Sequence, residues 1–595
     1  MINLNNGGTL RNGVIAAGDS LTADRQTLAS YLNFDGGVFR AAGNISMFRD
    51  EAAKKPDAVT VYPGGAVLDT DQYTLTVNAP LERPAGSGVA SVAMPDALAA
   101  ETRFIGPPLV RISGGGGRGA TAICLYDSKT RKVTGVKVTC PGTGYTSAPT
   151  VTFEGGLGAT NRFTGTATLA ANSAAGGLVK RGSGLLVLAA TNTFGGAVTV
   201  EDGTLLASCT NAIPSGADLL LRGGTLTANT GLELGAVSVT SGNVANAAID
   251  CASFTKEGDG VLSLHGATVR TRSPAVIGGG CVRVAGSNAG LLESVLSGNQ
   301  NWTGIAMGTN VTLSTVMANT RSGWGEQMTI AYTGYIWNRS DADVTWTFVE
   351  DFDDAVRLWI DDELLISNDG WQNAAKATVT LSPGPHKFEA RFGQGTGGAG
   401  PTTGASPEWT AKNAPPIGFA IDFDGRDSFD GTLYTIPVDP GDGSLFTVSA
   451  AEPDTALFGQ AGVTIASGAA LDFVAATAVS LPNLSGAGSV TNATVLASGT
   501  WTFDADDFTA GKCLTVANGA VDLGGVTTFA FENAASLPAK GAAVVIARAD
   551  KGFTGAEGLA AATLTGLPPK GSWHLEVRGN SLVLSPVAGT AIIIR

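Results

Sequence analysis

Residues 176–205 read GGLVKRGSGLLVLAATNTFGGAVTVEDGTL, and this stretch decides the fold class. Two short apolar segments, LLVL and AVTV, are set apart by Gly-Gly, Asn-Thr and Asp-Gly. Leu185, Val187, Val198 and Val200 alternate with residues that face the other way, the period-2 signature of a strand buried on one face. The pattern recurs: Lys180-x-Gly-x-Gly-x-Leu-x-Leu returns as Lys256-x-Gly-x-Gly-x-Leu-x-Leu, followed by IGGGCVRVA. A unit repeated in this way reads as one coil of a solenoid, whose apolar face is covered only when neighbouring coils stack on it.

Composition agrees with turn-dense β structure. Glycine supplies 82 of 595 residues, while charged residues are 15% and apolar ones 44%, a balance that argues against disorder. Without a strict Gly-X-Y period the chain is not collagen-like. The net charge of −14 disfavours nucleic acid and anionic membranes and favours cations. No apolar run is long enough for a transmembrane helix, and Met1-Ile-Asn-Leu-Asn lacks the basic and apolar regions of a signal peptide. None of the six cysteines forms a Cys-x-x-Cys pair, so a zinc site is not expected. Cys124 and Cys140 flank one hairpin and are the pair placed to bridge; buried free thiols are the reading for the others.

The quoted stretch closely resembles the autotransporter-associated β-strand repeat of secreted bacterial passenger proteins. That resemblance implies right-handed parallel β-helices outside the cell. Coils with a Gly-Gly signature precede it, as in NNGGTLRNG (5–13) and NFDGGVFRAAG (33–43). Residues 106–170 differ, and their TCPGTGYTSAPTV resembles a small GSGYTSAPTV-type module of bacterial surface proteins, for which a spacer role is expected. Solenoid patterning returns after 446, in VTIASGAALDFV and LTVANGAVDLGG. Ala591–Arg595 is an apolar last strand, either a cap or an edge for self-association.

Between the solenoids lies an island that holds seven of the nine tryptophans, from Trp302 to Trp409. Strictly alternating strands such as VTWTFVE and VRLWID build its core differently, and Asp361-Asp362 and Ser382-Pro383-Gly384 mark turns. Gly334-Tyr335-Ile336, Asp353-Asp354, Leu358-x-Ile360-Asp361 and Leu381-x-Pro-Gly-x-His386 resemble a PA14 domain, a β-sandwich inserted in many adhesins, toxins and glycoside hydrolases. In sugar-binding members of that family, two adjacent aspartates hold Ca²⁺ that ligates sugar hydroxyls, which places Asp353 and Asp354 as metal ligands. Paired carboxylates suit a cation that takes six to eight hard oxygens. Asn413, Asp424 and Asp427 are candidates for the remaining ligands. A solvated acidic turn is the alternative reading of the pair. Trp371 joins Asp353 and Asp354 as a candidate ligand-binding residue.

Gly18-Asp19-Ser20-Leu21-Thr22 spells the first block of GDSL-type hydrolases. No Asp lies three residues before His265, His386 or His574, so the nucleophile lacks its base and the stretch reads as a turn.

The expected architecture is therefore all-β: a right-handed parallel β-helix interrupted by a PA14-like β-sandwich. The expected parts are an N-terminal solenoid (1–105), the Gly-rich module (106–170), a repeat-bearing solenoid (171–294), the sandwich (295–445) and a C-terminal solenoid with cap (446–595). The expected function is a secreted or cell-surface adhesin or fibre protein, without enzyme activity, binding carbohydrate through Ca²⁺. The alternatives are a subunit of an extracellular filament and, third, a polysaccharide-degrading β-helix enzyme.

Overall fold

The computed structural model describes residues 1–16, 29–51, 54–156, 162–174, 176–245, 247–285, 291–303, 310–312, 326–338, 342–350, 352, 354–370, 375–382, 384–396, 419–422, 434–436, 446–449, 455–474, 478–537, 542–568 and 572–587. The Gly18–Thr22 motif and the terminal strand Ala591–Arg595 lie outside them. The described chain is all-β, with α-helices of only five residues at Asp96–Ala100 and Ala505–Thr509. Contacts group it into two units, Met1–Leu262 with Val269–Ala275, and Ser263–Thr268 with Val276–Arg595.

In the first unit the quoted stretch forms strands Leu178–Arg181, Leu185–Leu188, Val198–Val200 and Thr204–Ala207. Each pairs parallel with a strand about twenty residues further on: Leu178 lies opposite Val198, Leu185 opposite Thr204, and Val198 opposite Leu219. The ladder runs back through Ala66–Asp69 and Val38–Ala41 to Thr9–Asn12. Val198 and Val200 are buried as expected. In the LLVL segment the phase is the opposite of that expected: Leu186 and Leu188 are fully buried, whereas Leu185 and Val187 are only half-buried. Four consecutive apolar residues carry no period-2 contrast, so pairing rather than pattern sets which face turns inward.

The repeat's polar residues hold successive parallel strands together. Lys180 is in phase with Leu178 and fully buried. Its Nζ lies 3.0 Å from Thr70 Oγ1, 2.9 Å from the Arg181 carbonyl, 2.6 Å from the Gly182 carbonyl and 3.0 Å from the Asp202 carbonyl. Thr70 follows one neighbouring strand and Asp202 the other, so one ammonium links three successive parallel strands. Asn192 does the same with neutral groups: its Oδ1 accepts from Leu81 N at 2.8 Å and its Nδ2 donates to the Ala212 carbonyl at 2.7 Å. The motif glycines make room for this stacking. Gly182 has φ +79°, and a Cβ on Gly184 would sit 2.0 Å from the Tyr73 carbonyl oxygen. Lys256 repeats the device on the Glu257 and Gly258 carbonyls at 2.8 and 2.9 Å.

Ala66–Asp69 pairs in register with Leu178–Arg181 although a hundred residues intervene. Those residues supply a six-stranded antiparallel sheet, in the order Ser87–Ala93, Arg162–Ala171, Thr150–Glu154, Leu109–Ser113, Thr121–Asp127, Lys132–Cys140. It opens at Ser87, upstream of the expected start at 106, because Ser87–Ala93 finds its partner in Arg162–Ala171. The sheet has its own core, in which Phe104, Val151 and Phe153 are fully buried. It meets the coil wall through polar contacts, Asn3 Nδ2 to Thr121 Oγ1 at 2.8 Å and Asn5 Nδ2 to the Thr139 carbonyl at 3.0 Å. Cys124 and Cys140 do not bridge; both are free and buried. Cys140 lies opposite Thr121, three positions from Cys124, a separation of roughly 10 Å along the strand that no disulfide spans.

The second unit repeats this logic on a larger scale. Cys281–Ala285 pairs parallel and in register with Ala470–Val474. Further parallel steps follow, Val463–Ile465 with Leu484–Ser485, Ala478–Pro482 with Thr494–Asp504, and the latter with Val521–Glu532. The parallel pattern ends in an antiparallel hairpin, Trp573–Arg578 with Ser581–Pro586, whose second strand lies antiparallel on Val544–Ala549. Such a reversal closes an edge to further parallel addition.

Two antiparallel sheets lie between Cys281–Ala285 and Ala470–Val474. One runs Asn310–Thr312, Leu291–Ser297, Met328–Asn338, Gly384–Gln394, Ala355–Ile360, Glu363–Asn368; the other runs Ala375–Leu381, Val344–Glu350, Phe419–Asp422, Tyr434–Ile436. They bury one core, in which Trp346 and Phe348 of the smaller sheet join Ile336, Val356, Leu358 and Phe392 of the larger. The turn read at Asp361-Asp362 is present, with φ +52° and +67°, the left-handed pair that suits a two-residue hairpin.

Candidate functional site

Of the expected site residues, Asp354 is described, whereas Asp353, Trp371, Asn413, Asp424 and Asp427 lie outside the described residues. Asp354 immediately precedes the strand Ala355–Ile360, and its Oδ2 accepts from the backbone N–H of Gly395 at 2.5 Å. A Cβ on Gly395 would lie 2.8 Å from that oxygen, so a glycine here lets the backbone reach the carboxylate. One hydrogen bond of this kind leaves the second carboxylate oxygen to accept from another group or to ligate a cation.

The same end of the two sheets is fixed by a buried carboxylate. Glu350 closes the strand Val344–Glu350 and is fully buried. Its Oε2 accepts from Phe352 N at 3.0 Å and its Oε1 from Asn368 Nδ2 at 2.7 Å. It therefore ties the turn that leads to Asp354 to the end of the strand Glu363–Asn368. Next to this, Arg357 donates to Asp369 Oδ2 at 2.8 Å and lies 4.7 Å from the centre of the Trp302 ring. Arg391, also buried, donates to Glu389 Oε1 and to the Asn301 carbonyl, each at 2.7 Å. Sequence reading marked Glu350 only as the end of a strand that matches the resemblance, without a role, and singled out neither Asn368 nor Arg357. A carboxylate ending the alternation VTWTFVE was the one available signal, since Glu350 stands in phase with Trp346 and Phe348.

His386, part of the motif quoted for the island, works at the other end of its strand. Its Nδ1 lies 2.7 Å from Asp361 Oδ2 and its Nε2 lies 2.8 Å from the Ser382 carbonyl. The ring braces the Asp361-Asp362 turn against the Ser382 turn. Among the described residues, no group of three His, Cys, Asp or Glu side chains is placed to hold a metal ion. Among them, too, no helix is long and apolar enough to cross a membrane.

Comparison with known proteins adds sequence likeness over parts of the chain. A family model described as Passenger-associated-transport-repeat matches residues 178–207, the stretch quoted first. An alpha-agarase of Alteromonas agarilytica is 36% identical over 145 residues, which cover 24% of this chain and 9% of the relative. An alpha-agarase of Thalassotalea agarivorans is 41% identical over 102 residues, 17% of this chain and 6% of the relative. The chain thus spans less than a tenth of the length of the relatives it matches. A crystal structure of the PA14 domain of the MpAFP antifreeze protein aligns with 27% of this chain and 91% of that domain, at 14% identity and a TM-score of 0.19. The alpha-agarase likeness overturns the expectation of a chain without enzyme activity.

Proposed function

We propose that this chain is part of a secreted or cell-surface carbohydrate-engaging protein. In this reading the parallel ladders wind as a right-handed β-helix, and the island is a PA14-like domain displayed from it. Asp353 and Asp354 hold Ca²⁺ that ligates sugar hydroxyls, and Trp371 is a further ligand-binding residue. The observation that carries the reading is the 36–41% identity to two proteins named for action on agar, a polysaccharide. The Passenger-associated-transport-repeat match at 178–207 supports a secreted passenger. Within the island, Glu350 and Gly395 hold the approach to Asp354 in place, the rigidity a binding loop needs.

Retention on an agarose matrix, with and without EDTA, tests this reading. Wild-type protein is expected to be retained more strongly in Ca²⁺ than in EDTA, and Asp353→Ala and Asp354→Ala to show only the weaker, EDTA-insensitive retention while keeping their β-rich circular dichroism. Millimolar Ca²⁺ is expected to raise the melting temperature of wild type and leave the variants unchanged, because a ligand held only by the folded state stabilises it. Retention unaffected by EDTA would remove calcium from the account. The same relatives favour a second reading, participation in polysaccharide cleavage, which release of reducing sugar from agar would reveal.

A further inference from the structure

The parallel strands after the island carry a groove of about 500 Å³, within the size range of small-ligand sites. Thr464, Ser485 and Thr502 line it. Thr464 is in register with Ser485, and Ser485 with Thr502, on successive parallel strands. The three residues therefore form a row across strands that are spaced by roughly 4.8 Å. The Thr464 and Ser485 hydroxyls lie 2.6 Å apart, a hydrogen bond that fixes one end of the row. Asp504, Asp507 and Glu532 add carboxylates, Ser467 a further hydroxyl and Ala466, Gly486 and Ala487 small apolar surface, and none of the groove's residues is basic.

The wall is held from both sides. Asn533 Nδ2 donates to both Asp504 oxygens at 3.0 Å, and Asp506 N donates to Oδ1 at 3.0 Å. Behind Thr502 and Asp504 the alternate residues Trp501 and Phe503 are buried, with ring centroids 6.0 Å apart. Phe503 stacks on Phe531 of the next strand at 6.0 Å. Groups fixed in this way meet a ligand at low entropic cost.

We propose that this groove binds a neutral saccharide chain lying across the strands, along the hydroxyl row; the inference rests on the carbohydrate reading above. The hydroxyls both donate and accept, and the carboxylates accept from sugar hydroxyls, so every polar lining group has a complement on a sugar ring. Three carboxylates without a basic neighbour repel sulfate and uronate, which selects against anionic polysaccharides.

Titration calorimetry with a short neutral agaro-oligosaccharide and a sulfated carrageenan counterpart tests this on the full chain. The neutral sugar is expected to bind wild type and Asp354→Ala alike in EDTA, and at least about tenfold more weakly to Thr502→Val and to Glu532→Gln, a loss of about 1.4 kcal/mol. Glu532 is exposed and Thr502→Val keeps its shape, so both variants are expected to fold, as circular dichroism will check. The sulfated chain is expected not to bind. Wild-type affinity in both groove variants, or equal binding of the sulfated chain, overturns the groove and leaves the island reading intact. Absence of any saccharide binding by wild type, with and without Ca²⁺, overturns both.

Discussion

Replacing Lys180 by methionine is expected to destabilise the first unit by about 3–5 kcal/mol, the scale for removing one partner from a buried charged network. Methionine fills most of the same space but donates nothing. Thr70 Oγ1 and the carbonyls of Arg181, Gly182 and Asp202 then lose a common donor at a position closed to water. Each buried acceptor left unsatisfied costs about 1–3 kcal/mol. Lys387→Met is the contrast, since that exposed side chain pairs with Asp362 and its loss should cost less than about 1 kcal/mol. Thermal and denaturant unfolding of the two variants will separate them.

The same lysine predicts a pH dependence. Burial pushes the Lys180 ammonium down to about 8, with Asp202 and Asp69 opposing the shift. Its folded value thus lies below the ordinary lysine value of about 10.4, so the unfolded chain binds this proton more tightly between the two. Stability relative to Lys180→Met should rise as pH climbs through that window and be flat below it. A gap between the two proteins that closes on going from about pH 8 to about pH 10 would contradict this.

Trp346→Ala is expected to cost a comparable amount, about 3–5 kcal/mol, read from the unfolding of the island. Trp346 is fully buried and belongs to the smaller sheet, while most of the core around it comes from the larger. Truncation leaves a cavity between two sheets whose strands are each tied by continuous ladders and cannot collapse inward. Tyr335, half-buried in the larger sheet, is the control, and Tyr335→Ala should cost clearly less.

How far sequence alone reaches can be read from these residues. Val198 and Val200 showed their buried face because threonine and alanine separate them from other apolar residues. Leu186 and Leu188 did not, since LLVL has no polar contrast; aligning the motif on Leu262 and Leu264 would have given the phase. Lys180 was legible as a repeated residue but not as an interior one, although it stands two positions from Leu178 in the inward phase. The Asp361-Asp362 turn could be read directly, because two small acidic residues between alternating strands tolerate left-handed backbone. The Cys124–Cys140 bridge failed because flanking a hairpin does not set register. The groove could not be read at all: Thr464, Ser485 and Thr502 sit 21 and 17 positions apart (464 to 485, 485 to 502), and only strand pairing brings them into a row.

The central claim is that the island is inserted between strands that stack on each other without it. Cys281–Ala285 and Ala470–Val474 are in register, and Arg283 Nε lies 3.1 Å from Asp472 Oδ2 across that step. Closing a loop costs only as the logarithm of its length, so shortening this one should cost nothing in the ladder. The most direct test removes residues 286–454, joins the ends with a short Gly-Ser linker, and follows circular dichroism through thermal unfolding. Retention of the β signal and of a cooperative transition near that of the full chain is the predicted result. Loss of both would show that the island is part of the core on which the coils depend.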